Sequence, residues 1–348
     1  MDPRASLSTA PTTIAAVWRG GTTVALEPVP LPSPGPGELL VAVDLATVCG
    51  SDRHTVAGRR AAPCPSVLGH EAVGHVVAAG VGASAAVGDR VVWGVTVGCG
   101  RCDRCTGGRT AKCRRLRKVG HEPFDGAWQL SGSYAAHVLL PAGATVVPVP
   151  AALPDVLAAP AACATATVMA ALEAAGPLAG ARVLVCGAGM LGLTATAAAA
   201  DRGAAAVLVT DVAPARLDLA GDFGATRTLR SDQTPPAVDV ALEFSGATSA
   251  ATTALGALDI GGRLVLAGAV TPVDTLPVDP EAIVRGWLTV TGVHNYEPRH
   301  LRQAVDYLTA SREAWPWERL VAPAVPLDRV GALLTRPPQH EPRAAIAP

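Results

Sequence analysis

The 348-residue chain is short of charge, of aromatic side chains and above all of lysine. Only Lys112 and Lys118 occur beside 26 arginines, a bias that points to a GC-rich coding genome and says nothing about function. Charged residues make up 16% of the chain, well under the usual quarter. Net charge is −1, which excludes the basic excess of a general nucleic-acid binder. Aromatics are 3%, so cores must be built from small aliphatic groups within the 49% hydrophobic fraction. Mean hydropathy is high, at +0.33, yet a long uninterrupted apolar run is missing. The uncharged stretch Val183–Ala200 contains Gly187, Gly189 and Gly192, and it divides into a β-like piece and an alanine-rich helical piece. Val156–Leu172 is shorter and is broken by Pro160. Neither reads as the helix of about twenty residues that a bilayer requires, so no membrane partner is expected. Met1–Thr13 is polar and proline-containing, with no apolar h-region, and reads as a loose leader rather than a signal peptide.

Length predicts about two domains. Up to about residue 160 the chain is rich in Pro, Gly and short β-type runs, such as Leu39–Asp44 and Arg90–Trp93. From about Ala164 strands and helices alternate: strand Val183–Cys186, helix Leu191–Arg202, strand Val207–Thr210, helix Pro214–Phe223, then strands at Val238–Phe244, Arg263–Ala267 and Leu288–Val293. That alternation predicts an α/β, doubly wound parallel sheet. A helix is expected over Arg299–Arg312, and the last stretch returns to proline-rich, β-like sequence, so the second domain is read as inserted into the first.

Gly187-Ala188-Gly189-Met190-Leu191-Gly192 is a G-x-G-x-x-G placed directly after a buried strand and at a helix start. The first Gly permits the tight turn, the second a close backbone approach to a pyrophosphate, and the third close helix–strand packing. Asp211, nineteen residues after Gly192 and at the end of the next strand, favours NAD(H) over NADP(H) by accepting from ribose hydroxyls. Arg216 complicates this, because a nearby guanidinium suits a 2′-phosphate. The bland alternative is a plain αβ turn.

Of eight cysteines, Cys99, Cys102, Cys105 and Cys113 fall within fifteen residues. The spacing suits a closed four-thiolate zinc site, against an iron–sulfur cluster whose last gap is three residues followed by Pro. Tight clusters in a long chain point to metal rather than disulfides, and hence to the cytoplasm. The basic run Arg101, Arg104, Arg109, Lys112, Arg114, Arg115, Arg117, Lys118 either neutralises that site or forms a partner patch. A second, dispersed set is Cys49, His70-Glu71 and Cys163, whose residue types suit a catalytic zinc. Spacing alone leaves unrelated core cysteines and a surface histidine equally open.

The strings Val48-Cys49-Gly50-Ser51-Asp52, Gly69-His70-Glu71-Ala72-Val73-Gly74 and Val87-Gly88-Asp89-Arg90-Val91, with the four-cysteine lobe and the glycine fingerprint, resemble the zinc-dependent medium-chain alcohol dehydrogenases. The resemblance runs in order from about Ala15 to the C-terminus. It implies a GroES-like β-barrel catalytic domain, residues 1–163 and 295–348, with a structural zinc lobe near 97–115 and an inserted Rossmann NAD-binding domain, residues 164–294. It implies two Zn²⁺ per chain: a catalytic one on Cys49, His70 and Cys163, with Glu71 as alternate ligand, and the structural one. Asp52 would orient His70, and Ser51 would take the alcohol proton and pass it through the cofactor ribose to His54. Thr167, Gly268, Val270 and Val293 would line the nicotinamide cleft. Gly50 departs from several family members that carry a basic residue there for the cofactor phosphate. Homodimers and homotetramers are both usual in the family.

Arg53, Arg59 and Arg60 lie on a segment that in the family borders the substrate cleft, where guanidinium groups suit an anionic substrate; the alternative is a solvated basic loop. Gly58-Arg59-Arg60 and Arg115-Leu116-Arg117-Lys118-Val119-Gly120-His121-Glu122 resemble a branch associated with phosphonate metabolism. That implies a small phosphonate alcohol–aldehyde pair such as 2-hydroxyethylphosphonate and phosphonoacetaldehyde. An uncharged polyol, amino alcohol or simple alcohol is the alternative, and a non-catalytic zinc and dinucleotide binding protein is the second. His121 is read as packing or substrate-facing, without a third metal.

Overall fold

The computed structural model describes residues 11–336 and 341–348. The leader reading falls, for residues 1–10, outside the described residues, while Thr12 and Thr13 already belong to the strand Thr12–Trp18.

The first half of the chain is β-rich. Leu39–Thr47 is central, flanked by Ala72–Ala79 on one side and by the C-terminal strand Arg343–Ala347 on the other, with Arg90–Trp93, Val146–Pro148 and Val321–Pro326 continuing outward. His137–Leu140 also pairs with Leu39–Thr47, and Val24–Pro30, Thr12–Trp18 and Ser66–Val67 form a smaller sheet. The second half holds six parallel strands in the order Arg227–Arg230, Ala206–Asp211, Arg182–Cys186, Val238–Glu243, Leu258–Leu266, Thr289–Gly292. In chain order that is 3-2-1-4-5-6, the doubly wound arrangement whose ligand crevice lies where the order reverses. Helix Pro298–Ser311 then leads back, and Ala345 and Ile346 pair with Thr47 and Ala46. The C-terminus therefore completes the first sheet, as the inserted-domain reading expects.

Scarcity of aromatics is met by close approach. Helix Met190–Asp201 buries Ala195, Ala197, Ala198 and Ala199 against the parallel sheet. Gly187 adopts φ +97° in the turn before it. A Cβ at Gly192 would stand 1.7 Å from the Gly187 carbonyl oxygen, so only glycine fits there.

One expectation fails. Pro160 does not end the apolar run: Asp155–Ala175 is one continuous 21-residue helix with 78% of its most apolar window buried. It is long and apolar enough to cross a membrane, but it packs between the two halves as a core helix. Proline lacks the N–H that an α-helical ladder needs, yet the helix runs on past it into a π-helical turn at Ala161–Thr165. The Tyr296 hydroxyl donates to the Ala162 carbonyl in that turn. The helix spans the junction that the sequence places at 163/164.

Gly192→Ala should destabilise the protein by roughly 3 kcal/mol through overpacking against backbone. Gly189→Ala, whose Cβ meets nothing within 4 Å, should leave the thermal midpoint unchanged. Thermal unfolding followed by circular dichroism of the two variants checks this; equal midpoints would refute it.

Candidate active site and metal centres

Three soft donors converge between the halves. Cys49 immediately precedes helix Gly50–Val56, His70 lies just before strand Ala72–Ala79, and Cys163 is carried by the π turn. Their ligand atoms all lie within 4.8 Å of one another. The hydrogen bond from Cys163, together with Arg343 and His70, draws the Cys49 thiol well below its usual value against the effect of burial. Two thiols, one of them readily ionised, and an imidazole form a donor set that fits zinc.

His70 is aimed by its neighbours. Asp52 Oδ1 lies 3.2 Å from His70 Nδ1, leaving Nε2 toward the Cys49–Cys163 side, 3.3 Å from Ser51 Oγ. Asp52 is itself held by Tyr134, whose hydroxyl donates to Oδ2 at 2.7 Å. Burial and Asp52 keep that phenol protonated. Gly69, at φ +94°, makes room for the tyrosine: a Cβ there would lie 2.7 Å from the ring. Glu71 stands behind the donors rather than among them. It is fully buried, accepts from Thr47 at 2.8 Å, and pairs with Arg343 at 3.0 and 3.2 Å.

The four-cysteine lobe is also assembled. Ligand atoms of Cys99, Cys102, Cys105 and Cys113 lie within 4.8 Å of one another. Backbone N–H groups of Arg114 and Cys105 draw the Cys102 thiol down to about 6, which suits metal binding. The lobe is tied to the rest of the molecule by Glu297, which accepts from Thr110 N at 2.9 Å and Ala111 N at 3.1 Å. Four residues of its basic run find separate partners. Arg114 pairs with Asp103, Arg104 donates to the Lys112 carbonyl, Arg117 covers Trp128, and Lys112 meets His294 at 2.7 Å.

A cleft of about 220 Å³ joins these donors to the glycine turn. Ser51, His54, Thr167, Gly189, Met190, Leu191, Gly192, Gly268, Val270 and Val293 all line it. Gly187 sits behind the lining and shapes the turn. Asp211 is buried at its strand end, where its carboxylate accepts from Ala188 N at 2.7 Å and Ala213 N at 2.8 Å, and Arg216 is exposed on helix Pro214–Asp222.

The three arginines expected around the substrate separate. Arg60 lines the cleft, Arg59 is exposed, and Arg53, half-buried, lies outside the lining because the short helix turns it away from the face of Ser51 and His54. Lys118, His121, His294, Asn295 and Arg343 line the cleft as well. Lys118 has its ammonium drawn down to about 8 by burial, Arg60 and Lys112. His121 Nδ1 lies 2.8 Å from the Val119 carbonyl, and burial and His70 hold the ring down to about 3, so its unpartnered Nε2 is an acceptor. Arg343 and Tyr134 carried no local sequence signal, since their partners lie 272 and 82 residues away. A signal did exist for Arg343: a buried carboxylate such as Glu71 requires a cation.

With that geometry in place, comparison with known proteins is direct. Residues 35–151 match the family model of the alcohol dehydrogenase GroES-like domain, and residues 191–310 that of the zinc-binding dehydrogenases. The 5-exo-hydroxycamphor dehydrogenase of Pseudomonas putida is 30% identical over 88% of this chain and 90% of its own length. An L-threonine 3-dehydrogenase of Edwardsiella ictaluri (strain 93-146) is 33% identical over 77% of this chain and 80% of its own. A zinc-binding dehydrogenase structure from Sinorhizobium meliloti 1021, bound to NADP, superposes with a TM-score of 0.88 at 28% identity, over 97% of this chain and 100% of that one. The chain therefore belongs to the zinc-dependent medium-chain alcohol dehydrogenase family, with a GroES-like domain and a Rossmann-like domain.

Proposed function

We propose that the protein interconverts a small anionic alcohol and its aldehyde or ketone with NAD(H), using a catalytic zinc on Cys49, His70 and Cys163 and a structural zinc on Cys99, Cys102, Cys105 and Cys113. The reaction removes hydride from the carbinol carbon and a proton from its oxygen. A zinc ion in the first site supplies Lewis acidity that lowers the pKa of a bound alcohol. Ser51, beside His70 Nε2, is the first proton acceptor. His54, one turn along the same helix and lining the same cleft, would be the final acceptor of that proton. Burial and the guanidinium group of Arg59 hold His54 below its usual value, so it is neutral and ready to accept. Asp52 fixes the His70 ring, and Thr167, Val270 and Val293 position the nicotinamide. Asp211 at its strand end supports NAD(H) over NADP(H), and the free state of all eight cysteines supports a cytoplasmic setting. The exposed edge strand Thr289–Gly292, beside Trp287 at 80% exposure, supports a homodimer or homotetramer.

One observation carries the anionic substrate: Arg60 and Lys118 line the donor cleft, and among the described residues neither the guanidinium nor the ammonium forms an ion pair, Glu122 accepting only from the Lys118 backbone N at 2.8 Å. A phosphonate group would meet both. The acceptor at His121 Nε2 favours a second reading, a polyol or amino alcohol, whose hydroxyl or amine would donate to it.

Zinc-loaded protein should prefer phosphonoacetaldehyde to an uncharged aldehyde of similar length by about a hundredfold in kcat/KM, roughly 2.7 kcal/mol. Arg60→Glu should abolish that preference, and Arg59→Glu should not; equal preference in the wild type sinks the anionic reading. Lys118 is charged below about 8, so KM for the phosphonate should rise as pH passes that value and stay flat in Lys118→Ala. For the coenzyme, kcat/KM with NADH should exceed that with NADPH at least about tenfold; a reversed ratio would assign Arg216, not Asp211, the deciding role. Native mass spectrometry should find two zinc ions per chain in assemblies of two or four chains. Cys163→Ser and Cys113→Ser should each lose one ion, and a single zinc in the wild type would contradict the two-site assignment.

A further inference from the structure

The proposed chemistry leaves two neighbouring residues of the cleft wall without a role. His294 and Asn295 follow strand Thr289–Gly292 and line the cleft together with Arg60 and Lys118. Lys112 Nζ lies 2.7 Å from His294 Nδ1. An ammonium group only donates, so Nδ1 accepts and the ring proton sits on Nε2. Partial burial and the charges of Lys112, Lys118 and Arg60 hold the ring down to about 4, so it is a neutral donor with one fixed tautomer. Asn295 stands at φ +59°, in the left-handed region that few side chains other than Asn adopt readily. Its Nδ2 is enclosed without a hydrogen-bond partner among the described residues. The segment is clamped from both sides. The Tyr296 hydroxyl donates to the Ala162 carbonyl and accepts from Val95 N at 3.3 Å, while Glu297 accepts from Thr110 and Ala111 of the cysteine lobe. An unmet buried donor on an uncommon backbone persists only where its surroundings enforce it, and on a ligand wall it marks a place prepared for an acceptor.

We propose, on the anionic-substrate reading above, that His294 Nε2–H and Asn295 Nδ2 complete the anion site, donating to phosphonate oxygens that Arg60 and Lys118 also meet. Lys112 is then a positioning residue, acting on the substrate only through the tautomer it sets on His294. A phosphonate dianion spreads two charges over three oxygens. One guanidinium and one ammonium answer the charge, and two neutral donors answer the remaining lone pairs without adding to a cluster of cations.

The test uses the full-length, zinc-loaded protein saturated with NADH, phosphonoacetaldehyde and butanal as substrates, and methylphosphonate as a non-reacting probe. His294→Leu should raise KM for phosphonoacetaldehyde at least about tenfold more than KM for butanal, with kcat for phosphonoacetaldehyde changed less than about threefold. His294→Gln, which keeps an N–H near the Nε2 position, should recover most of that loss. Asn295→Gly, which keeps the left-handed backbone without the amide, should raise the same KM by about threefold or more. Lys112→Met should weaken phosphonoacetaldehyde in the wild-type background and much less in His294→Leu. In nitrogen NMR of histidine-labelled protein, the His294 ring, assigned by its absence in His294→Gln, should carry its proton on Nε2 and shift when methylphosphonate is added. If the Leu and Gly variants do not fold, that wild-type signal decides instead. A ring proton on Nδ1, or a wild-type preference for phosphonoacetaldehyde retained in either variant, overturns the proposal. So does a His294→Leu protein that loses NADH affinity instead, which would place the ring at the coenzyme. A wild type with equal kcat/KM for the two aldehydes would refute the anionic reading itself, and this proposal with it.

Discussion

The buried pair of Glu71 and Arg343 holds the two ends of the molecule together. Glu71 belongs to the histidine motif of the first half, and Arg343 opens the last strand, 272 residues later. Burial pushes the Glu71 carboxyl up, and Arg343 offsets that only in part. The guanidinium stays charged among Glu71, Cys49 and Cys163. Removing one partner of such a pair strands a charge in the core, at a cost of about 3–5 kcal/mol. The pair thus closes the first sheet around the inserted parallel domain. It also puts a positive charge 3.8 Å from Cys49 Sγ, so the contact that completes the fold also favours the thiolate a metal needs.

Around that fixed point the cleft divides its charge by direction. One end holds soft donors and small residues, and another holds Arg60 and Lys118 without acidic partners. The opposite wall is a glycine turn in which only backbone and Met190 and Leu191 side chains stand forward. Arg60 and Lys118 stand in the cleft without an ion pair among the described residues, whereas Arg182, on the parallel sheet, is held by Asp239 and Asp259.

Legibility in the sequence followed the range of the physics. The fingerprint at Gly187, the histidine motif at Gly69 and the cysteine lobe are local backbone or ligand-spacing requirements, so short strings displayed them. The alternating strands were legible because a doubly buried strand must be apolar throughout, as Arg182–Cys186 nearly is. Lys118, Tyr134 and Arg343 were not singled out for the roles they take in space, since a tertiary partner leaves no periodicity behind. The arginines at 53, 59 and 60 are close in sequence, but a helical turn and its exit send them to three different environments. Pro160 misled for a related reason: proline removes one hydrogen bond, and a helix that is mostly buried can run on through it.

The π turn at Ala161–Thr165 has a consequence for how the molecule can change. One residue more than the α repeat is accommodated there, which rotates everything downstream by about 100° relative to everything upstream. Residues before Cys163 meet the barrel strands Leu39–Thr47 and Ala72–Ala79, and residues after it meet the parallel sheet and helix Met190–Asp201. The helix is therefore a keyed shaft whose rotational phase sets the angle between the two halves. Side chains along it can be exchanged, but gaining or losing a single residue would turn one half against the other.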